Sequence, residues 1–395
     1  MSKSALLISS ALTLALFGCN GGEQDPASSG DTATQAAAPT DGAIDTDGQF
    51  KLTPIVEGFE YPWGILPLPD DDQHFLISER EGRINLVGLD GSVTPLTGGP
   101  DTYVANQGGY FELVADPDFE NNRLIYLSYA KGNDDENSTA IFKAELSEDG
   151  TALLNGKDIY QSDFRDTSYH FGGRLQFLPD GTLVAGLGDG FRYMDDAQST
   201  ANTHGTIVRI NSDGTIPNDN PLIGVDGASE EVYTWGHRNI QGLLYDENAG
   251  VLFAHEHGPK GGDELNIIEP GNNYGWPEIT YGVNYDGTVI TDLTAADGLE
   301  QPATKWVPSI APSGMMRYMG TVYPEWNGKL LIGAMNGPAG QKLVSLEMDG
   351  TTVVAETHYL KDVALPIRDL VQGPDGYVYL ITHEFGGGLF RVDPA

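Results

Sequence analysis

From Gln49 to the C-terminus, apolar residues come in short β-rich runs separated by clusters of Gly, Pro, Asp and Asn. No segment keeps an apolar repeat of 3.6 residues, so the pattern predicts strands rather than helices. A turn followed by a short strand recurs six times. Pro69-Asp70-Asp71 precedes His74–Ser78, Asp116-Pro117-Asp118 precedes Arg123–Ser128, and Pro179-Asp180-Gly181 precedes Thr182–Ala185. Asp246–Gly250 precedes Val251–Ala254, Pro324–Gly328 precedes Lys329–Gly333, and Pro374-Asp375-Gly376 precedes Tyr377–Ile381. The Gly, Asn and Asp residues supply hairpin-turn geometry, and the β-branched and aromatic runs suit half-buried strands.

The six units begin near residues 69, 116, 178, 245, 324 and 373. One four-stranded blade takes about 40–50 residues, so the wider spacings imply loop insertions on one face. The expected fold is all-β, a six-bladed β-propeller over residues 49–395. A β-sandwich needs fewer residues, and a parallel α/β fold needs helices between its strands. An unclosed ring leaves a bare sheet edge, so Phe50–Val56 is expected to pair with the segment near Leu389–Val392.

The N-terminus departs from this pattern. Lys3 supplies a lone positive charge, and Ala5 to Phe17 is mostly apolar but too short to span a bilayer. These are the proportions of a signal-peptide core. Leu16-Phe17-Gly18-Cys19 is similar to the lipobox of bacterial lipoproteins, with Phe17 bulkier than the pattern usually has. Cys19 is the chain's single cysteine, which rules out an internal disulfide and suits lipid attachment. The expectation is a lipoprotein signal peptide at 1–18, then an acylated Cys19 with a flexible linker over 19–48. The linker's Gly, Ala, Ser, Thr, Asp, Gln and Pro bury too little to offset their ordering entropy. Asn20 follows the cysteine where Asp favours inner-membrane retention, so the resemblance implies the outer membrane facing the periplasm.

Charge narrows the partners. Asp and Glu outnumber Lys and Arg by 57 to 21, for a net charge of −36. Such a chain is repelled by nucleic acid and by anionic membrane surfaces, leaving the N-terminal lipid as the membrane contact. The excess is compatible with solubility in a salty medium and with bound Ca²⁺.

Propellers carry their chemistry on loops at one mouth of the central channel. Four polar clusters sit where such loops should be. Tyr169-His170-Phe171-Gly172-Gly173-Arg174 is followed by Gly188-Asp189; a carboxylate that orients an imidazole is what a general base needs. A structural histidine capping a turn fits the same residues. Gly236-His237-Arg238-Asn239 offers a planar cation and a neutral donor, suited to carboxylate or quinone oxygen or to an interblade ion pair. His255-Glu256-His257-Gly258-Pro259 and Gly262-Asp263-Glu264 gather histidines and acids within ten residues. Zn²⁺ usually draws further His or Cys ligands, whereas carbonyls with carboxylates suit Ca²⁺ and its 6–8 oxygens. Pro366-Ile367-Arg368-Asp369 adds another cation before a blade turn.

Taken in order, these segments resemble the soluble quinoprotein sugar dehydrogenases, the pyrroloquinoline quinone (PQQ) dependent aldose sugar and soluble glucose dehydrogenases, which are six-bladed propellers. The resemblance runs from Tyr61-Pro62-Trp63-Gly64 to Pro374-Asp375-Gly376. It takes in Gln107-Gly108-Gly109, Asn273-Tyr274-Gly275-Trp276-Pro277 and Ala311-Pro312-Ser313-Gly314. It implies oxidation of the anomeric hydroxyl of an aldose to a lactone, with hydride passing to the quinone and a proton to His170. Asp189 would support that base and Gln107 would lie near substrate. Arg238, Asn239, Arg368 and Ser309 would hold PQQ. Carbonyls of Gly258 and Pro259 would hold a Ca²⁺ that also binds PQQ, and Glu264 and Tyr274 would belong to a separate structural Ca²⁺ site. No Cys-x-x-Cys-His haem motif occurs, so electrons would pass to a separate acceptor.

The departures fall in the cofactor pocket. Pro366 and Asn336 stand where glucose dehydrogenases have an arginine and a lysine, Tyr169 where they have an acid, and Val307 where they have an aromatic. Lys260, Arg192 and Arg317 are candidates to replace the lost cations. Two rival readings use the same scaffold: a non-catalytic carbohydrate-binding propeller, favoured by the lost cations, and a Ca²⁺-dependent propeller lactonase or hydrolase.

Overall fold

The computed structural model describes residues 44–46, 49–336 and 340–395. Its strands form six antiparallel sheets, five of four strands and one of five. The inner strands are Pro62–Pro67, Tyr110–Ala115, Gly172–Phe177, Ile240–Asp246, Pro312–Arg317 and Ile367–Gln372, which open blades 1 to 6. Each packs beside the next, and the sixth beside the first, so the ring is closed. The fold is a six-bladed β-propeller. All six turns read from the sequence are hairpins joining an inner strand to the second strand of its blade.

Closure follows the expected pairing. Phe50–Glu60 lies antiparallel to Phe385–Pro394, with Leu52 opposite Val392 and Val56 opposite Leu389. The N-terminal strand thus completes blade 6 and removes its free edge. That sheet also takes in Ile44–Thr46, paired with Phe50–Leu52, so the folded part starts inside the expected 19–48 linker. Ladder hydrogen bonds join backbone to backbone and need no apolar composition, which is why the change in composition at Gln49 misplaced the boundary. Residues 1–43, with the expected signal peptide, Cys19 and most of the linker, lie outside the described residues.

The core is divided among the six blade junctions. Side chains of a strand alternate between faces, and each second strand feeds two junctions at once. In blade 3, Leu183, Ala185 and Leu187 pack toward blade 2, while Val184 packs toward blade 4. In blade 6, Val378 and Leu380 face blade 5, and Tyr379 and Ile381 face blade 1. Burial on both faces makes these strands read as continuous apolar runs rather than alternating ones.

Polar bonds tie neighbouring inner strands near the axis. Ser78 accepts from the Gly64 amide and donates to Phe111 O at 2.5 Å, linking blade 1 to blade 2. Ser313 donates to Ile367 O at 2.6 Å, linking blade 5 to blade 6. On the axis itself lies Arg174, 4 % exposed. Its Nη1 meets Glu112 of blade 2 at 2.5 Å and Asp369 of blade 6 at 3.1 Å. Its Nε donates to Gln241 O of blade 4 at 2.7 Å, and its guanidinium sits 4.4 Å from the Trp63 ring of blade 1. Gly314 of blade 5 leaves the room: a Cβ there would come within 2.1 Å of Asp369 Oδ1.

Truncating Arg174 strands two buried carboxylates. Arg174→Ala is therefore expected to cost about 3–5 kcal/mol, read as a lower urea midpoint. An unchanged midpoint would show that the axial ion cluster does not hold the ring together.

Candidate active site

The cluster that the sequence placed at the channel mouth is assembled around His170. This residue precedes the blade 3 inner strand in a left-handed conformation, with φ at 50°. Its main chain is fixed from three sides. Gln107 Oε1 accepts the His170 amide at 2.8 Å, and Arg165 Nη1 donates to its carbonyl at 3.1 Å. The next amide but one, that of Gly172, donates to Asn239 Oδ1 at 3.2 Å. A residue held in a sparsely populated backbone region persists only when its surroundings over-determine it, as they do here.

The imidazole is oriented by Asp189, which follows the second strand of blade 3. His170 Nδ1 lies 2.6 Å from Asp189 Oδ1, and both residues are buried. Asp189 is itself locked: Oδ1 also accepts the Phe191 amide at 2.7 Å, and Oδ2 accepts Trp276 Nε1 at 2.8 Å. These bonds keep it ionised, so Nδ1 carries the proton it shares with the carboxylate and Nε2 is left to accept one. Burial, then the nearby Arg238 and Arg165 guanidiniums, outweigh Asp189 and hold the His170 pKa below its usual 6.5. At neutral pH the ring is an uncharged base.

Beside this pair lies a cavity of about 120 Å³. Trp63, Gln107, Asn239, His257, Met335 and Arg368 line it, together with Arg80 and His383. Arg368 is 4 % exposed, its guanidinium stacked 3.9 Å from the Trp63 ring. Its Nη1 reaches only the Met335 sulfur at 3.8 Å, and its Nε and Nη2 have no hydrogen-bond partner. A buried cation left unpaired is costly unless an anion comes to it. His257 ties the cavity to the base: its pKa, held at about 3 mainly by burial, is also lowered by Arg368, Arg238 and His170.

Arg238 stands at the side of a second, smaller cavity. Its Nη1 donates to His257 O at 3.0 Å and Gly258 O at 2.7 Å, and its amide donates to Glu256 at 2.5 Å. Glu264, Tyr274 and Gly258 line the same cavity, whereas Pro259 does not. Glu264 lies opposite Glu256 in the strand pairing, and Asn266 Nδ2 donates to both at 3.5 and 3.1 Å. Burial and then Glu256 raise the Glu264 pKa. Tyr274's hydroxyl is engaged elsewhere, donating to Ile267 O at 2.6 Å and accepting the Glu269 amide at 2.8 Å. Among the described residues, no group of three or more His, Cys, Asp or Glu converges as a metal site.

A family model described as "Glucose / Sorbosone dehydrogenase" matches residues 59–391. The chain belongs to the glucose/sorbosone dehydrogenase family. It is 37 % identical over 345 residues to the aldose sugar dehydrogenase YliI of Escherichia coli K12, covering 86 % of this chain and 92 % of that one. A crystal structure of a glucose dehydrogenase superposes with a TM-score of 0.84 at 40 % identity, over 87 % of this chain and 99 % of that one. The PQQ-bound aldose sugar dehydrogenase of Streptomyces coelicolor superposes with a TM-score of 0.71 at 26 % identity, over 90 % and 99 % of the two chains.

In this family member the expected site residues are only partly gathered. His170, Asp189, Gln107, Asn239 and Arg368 meet at one mouth. Ser309 stands apart: its hydroxyl donates to Asp263 Oδ2 at 2.7 Å, and it lines a separate groove with Asn336 and Lys342. Of the candidate replacement cations, none lines the Arg368 cavity. Arg317 is spent on Asp246, the Arg192 side chain is 68 % exposed, and Lys260 is exposed. Sequence reasoning missed Arg80 and His383. A register rule finds them: the residue directly after the second strand of blades 1, 4, 5 and 6 is Arg80, His257, Met335 and His383, and all four line the cavity.

Histidine titration followed by NMR is expected to place the His170 midpoint below pH 6.5. Asp189→Asn removes the one neighbour that raises it and should lower the midpoint further. A wild-type midpoint above 6.5 contradicts this electrostatic account.

Proposed function

We propose that this chain is a PQQ-dependent dehydrogenase that oxidises the anomeric hydroxyl of aldose sugars to lactones. The observation that carries the reading is the buried guanidinium of Arg368, its Nε and Nη2 without a partner, facing a cavity beside an uncharged His170 held by an ionised Asp189. A tricarboxylate fits such a site, because its charge answers the orphaned cation. The PQQ named in the Streptomyces relative is consistent with that choice. PQQ supplies, when bound, an ortho-quinone that takes up hydride.

The protein's own contribution is position, charge and a base. Arg368 would hold a cofactor carboxylate, and Trp63 and Phe111 would offer aromatic walls. His170 Nε2 would take the proton of the sugar's anomeric hydroxyl, while the ionised Asp189 accepts the Nδ1–H hydrogen bond and stabilises the imidazolium. Gln107, whose carbonyl oxygen is spent on the His170 amide, would keep its amide nitrogen for a sugar hydroxyl. Electrons would leave to a separate acceptor.

Ca²⁺ fits one of its two expected places. The paired Glu256 and Glu264, lining one cavity with Tyr274, suit a structural ion that relieves their repulsion. The Gly258 carbonyl instead accepts from Arg238 at 2.7 Å, so a cation there competes with a guanidinium. No catalytic step is assigned to it. We further propose lipid attachment at Cys19 and an outer-membrane location, supported by Leu16-Phe17-Gly18-Cys19 and Asn20. Mass spectrometry of the envelope-extracted protein tests this by the acyl mass on Cys19.

Apo protein supplied with PQQ and Ca²⁺ should reduce a dye with glucose or another aldose. His170→Gln should lower kcat/KM by about 10²–10⁴-fold. Lactone cleavage without quinone would instead indicate the hydrolase, and sugar binding with neither activity a lectin-like role. Ca²⁺ should raise the melting temperature of the wild type and not that of Glu264→Gln. An equal rise in both would place the ion elsewhere.

A further inference from the structure

We propose that Arg80 is the second cofactor-binding cation of the cavity, meeting a PQQ carboxylate from blade 1 where Asn336 leaves blade 5 without a cation and Pro366 leaves blade 6 with Arg368 alone. This inference rests on the PQQ reading above and adds to it a residue from outside every motif that carries the family resemblance. The cavity is lined by Arg368, Arg80, His257 and His383 and by no acidic side chain. In a chain of net charge −36, a cavity with that lining is selective for anions.

Arg80 is built into this place. It directly follows the strand His74–Glu79, and its amide donates to Tyr61 O at 3.1 Å. Its guanidinium lies 4.4 Å from the Tyr61 ring, and Nη1 donates to Asn106 O at 2.7 Å. Its Nε is buried with no hydrogen-bond partner, the same condition as Nε and Nη2 of Arg368. The nearest carboxylate, Glu81, stands at 3.9 Å, so the charge is only loosely answered within the protein. An arginine donates five N–H groups in a fixed fork suited to a carboxylate, and only part of this fork is used.

The two histidines do not duplicate it. His383 is held neutral, its pKa near 3, by burial and by Arg368 and Arg80 together. The His383 amide bonds Pro366 O at 2.9 Å, which places the missing arginine's position directly behind it. Positive charge in the cavity therefore comes from Arg368 and Arg80 alone among its lining side chains. Three carboxylates on one planar ligand call for more than one such cation.

The test is fluorescence titration of the full-length protein with PQQ and, separately, with its uncharged trimethyl ester, on wild type, Arg80→Gln, Arg80→Lys and Arg192→Gln. Matching circular dichroism spectra and melting temperatures establish that each variant is folded. Arg80→Gln should weaken PQQ binding roughly tenfold to a hundredfold, as expected for one charge-assisted bond. Arg80→Lys, which keeps the charge without the fork, should lose less, and Arg192→Gln nothing. The ester should bind wild type and Arg80→Gln alike. Unchanged PQQ affinity in Arg80→Gln overturns the inference and leaves the dehydrogenase reading intact. Equal weakening of PQQ and ester also overturns it, showing that Arg80 only shapes the cavity. A wild type that binds no PQQ overturns both.

Discussion

Arg174 of blade 3 links its own blade to four others at the axis. A propeller sheet packs only against its two neighbours, so the ring has no common core. Six apolar clusters each belong to a single junction, and a seventh, of Trp63, Phe111, Ala130 and Phe171, joins only blades 1 to 3. Arg174 reaches further, touching Trp63, Glu112, Gln241 and Asp369 from four other blades. Its five donors and planar shape allow one residue to serve several partners at different angles. A buried ion cluster adds little net stability, but it punishes any change that leaves a member unpaired.

The candidate site depends on this hub. Arg368 and Asp369 are neighbours on one inner strand, and their side chains take opposite tasks. Asp369 pairs with Arg174, while Arg368 lies in the cavity over Trp63 with its guanidinium unanswered. Trp63 carries both arginines, Arg174 at 4.4 Å and Arg368 at 3.9 Å. The cation of the site is thus held against the hub that closes the ring. Burial, and after it the guanidiniums of Arg238 and Arg165, keep His170 uncharged, while Asp189 fixes its tautomer.

Much of this was legible from single residues. Proline, aspartate and glycine mark the hairpins because few residues adopt turn conformations cheaply, and all six marks were hairpins. His170 and Asp189 were paired from their positions alone, since both follow or precede a strand at the same mouth. Ser309 lies apart from the other expected cofactor residues, its hydroxyl donating to Asp263, and a sequence does not reveal which partner a hydroxyl finds. The boundary at Gln49 was misjudged because Ile44–Thr46 joins the sheet through its backbone.

By itself, then, the chain's sequence determined the blade count, the closing strand and the pairing of His170 with Asp189, since these follow from local turn chemistry, strand composition and residue type. Only the tertiary structure decided which cations face the cavity. Arg80, Arg192, Arg317 and Lys260 are alike as letters, yet a single one of them lines it. That choice is made by how far each strand runs before it turns at the channel mouth, a register set by the packing of six blades around a common axis.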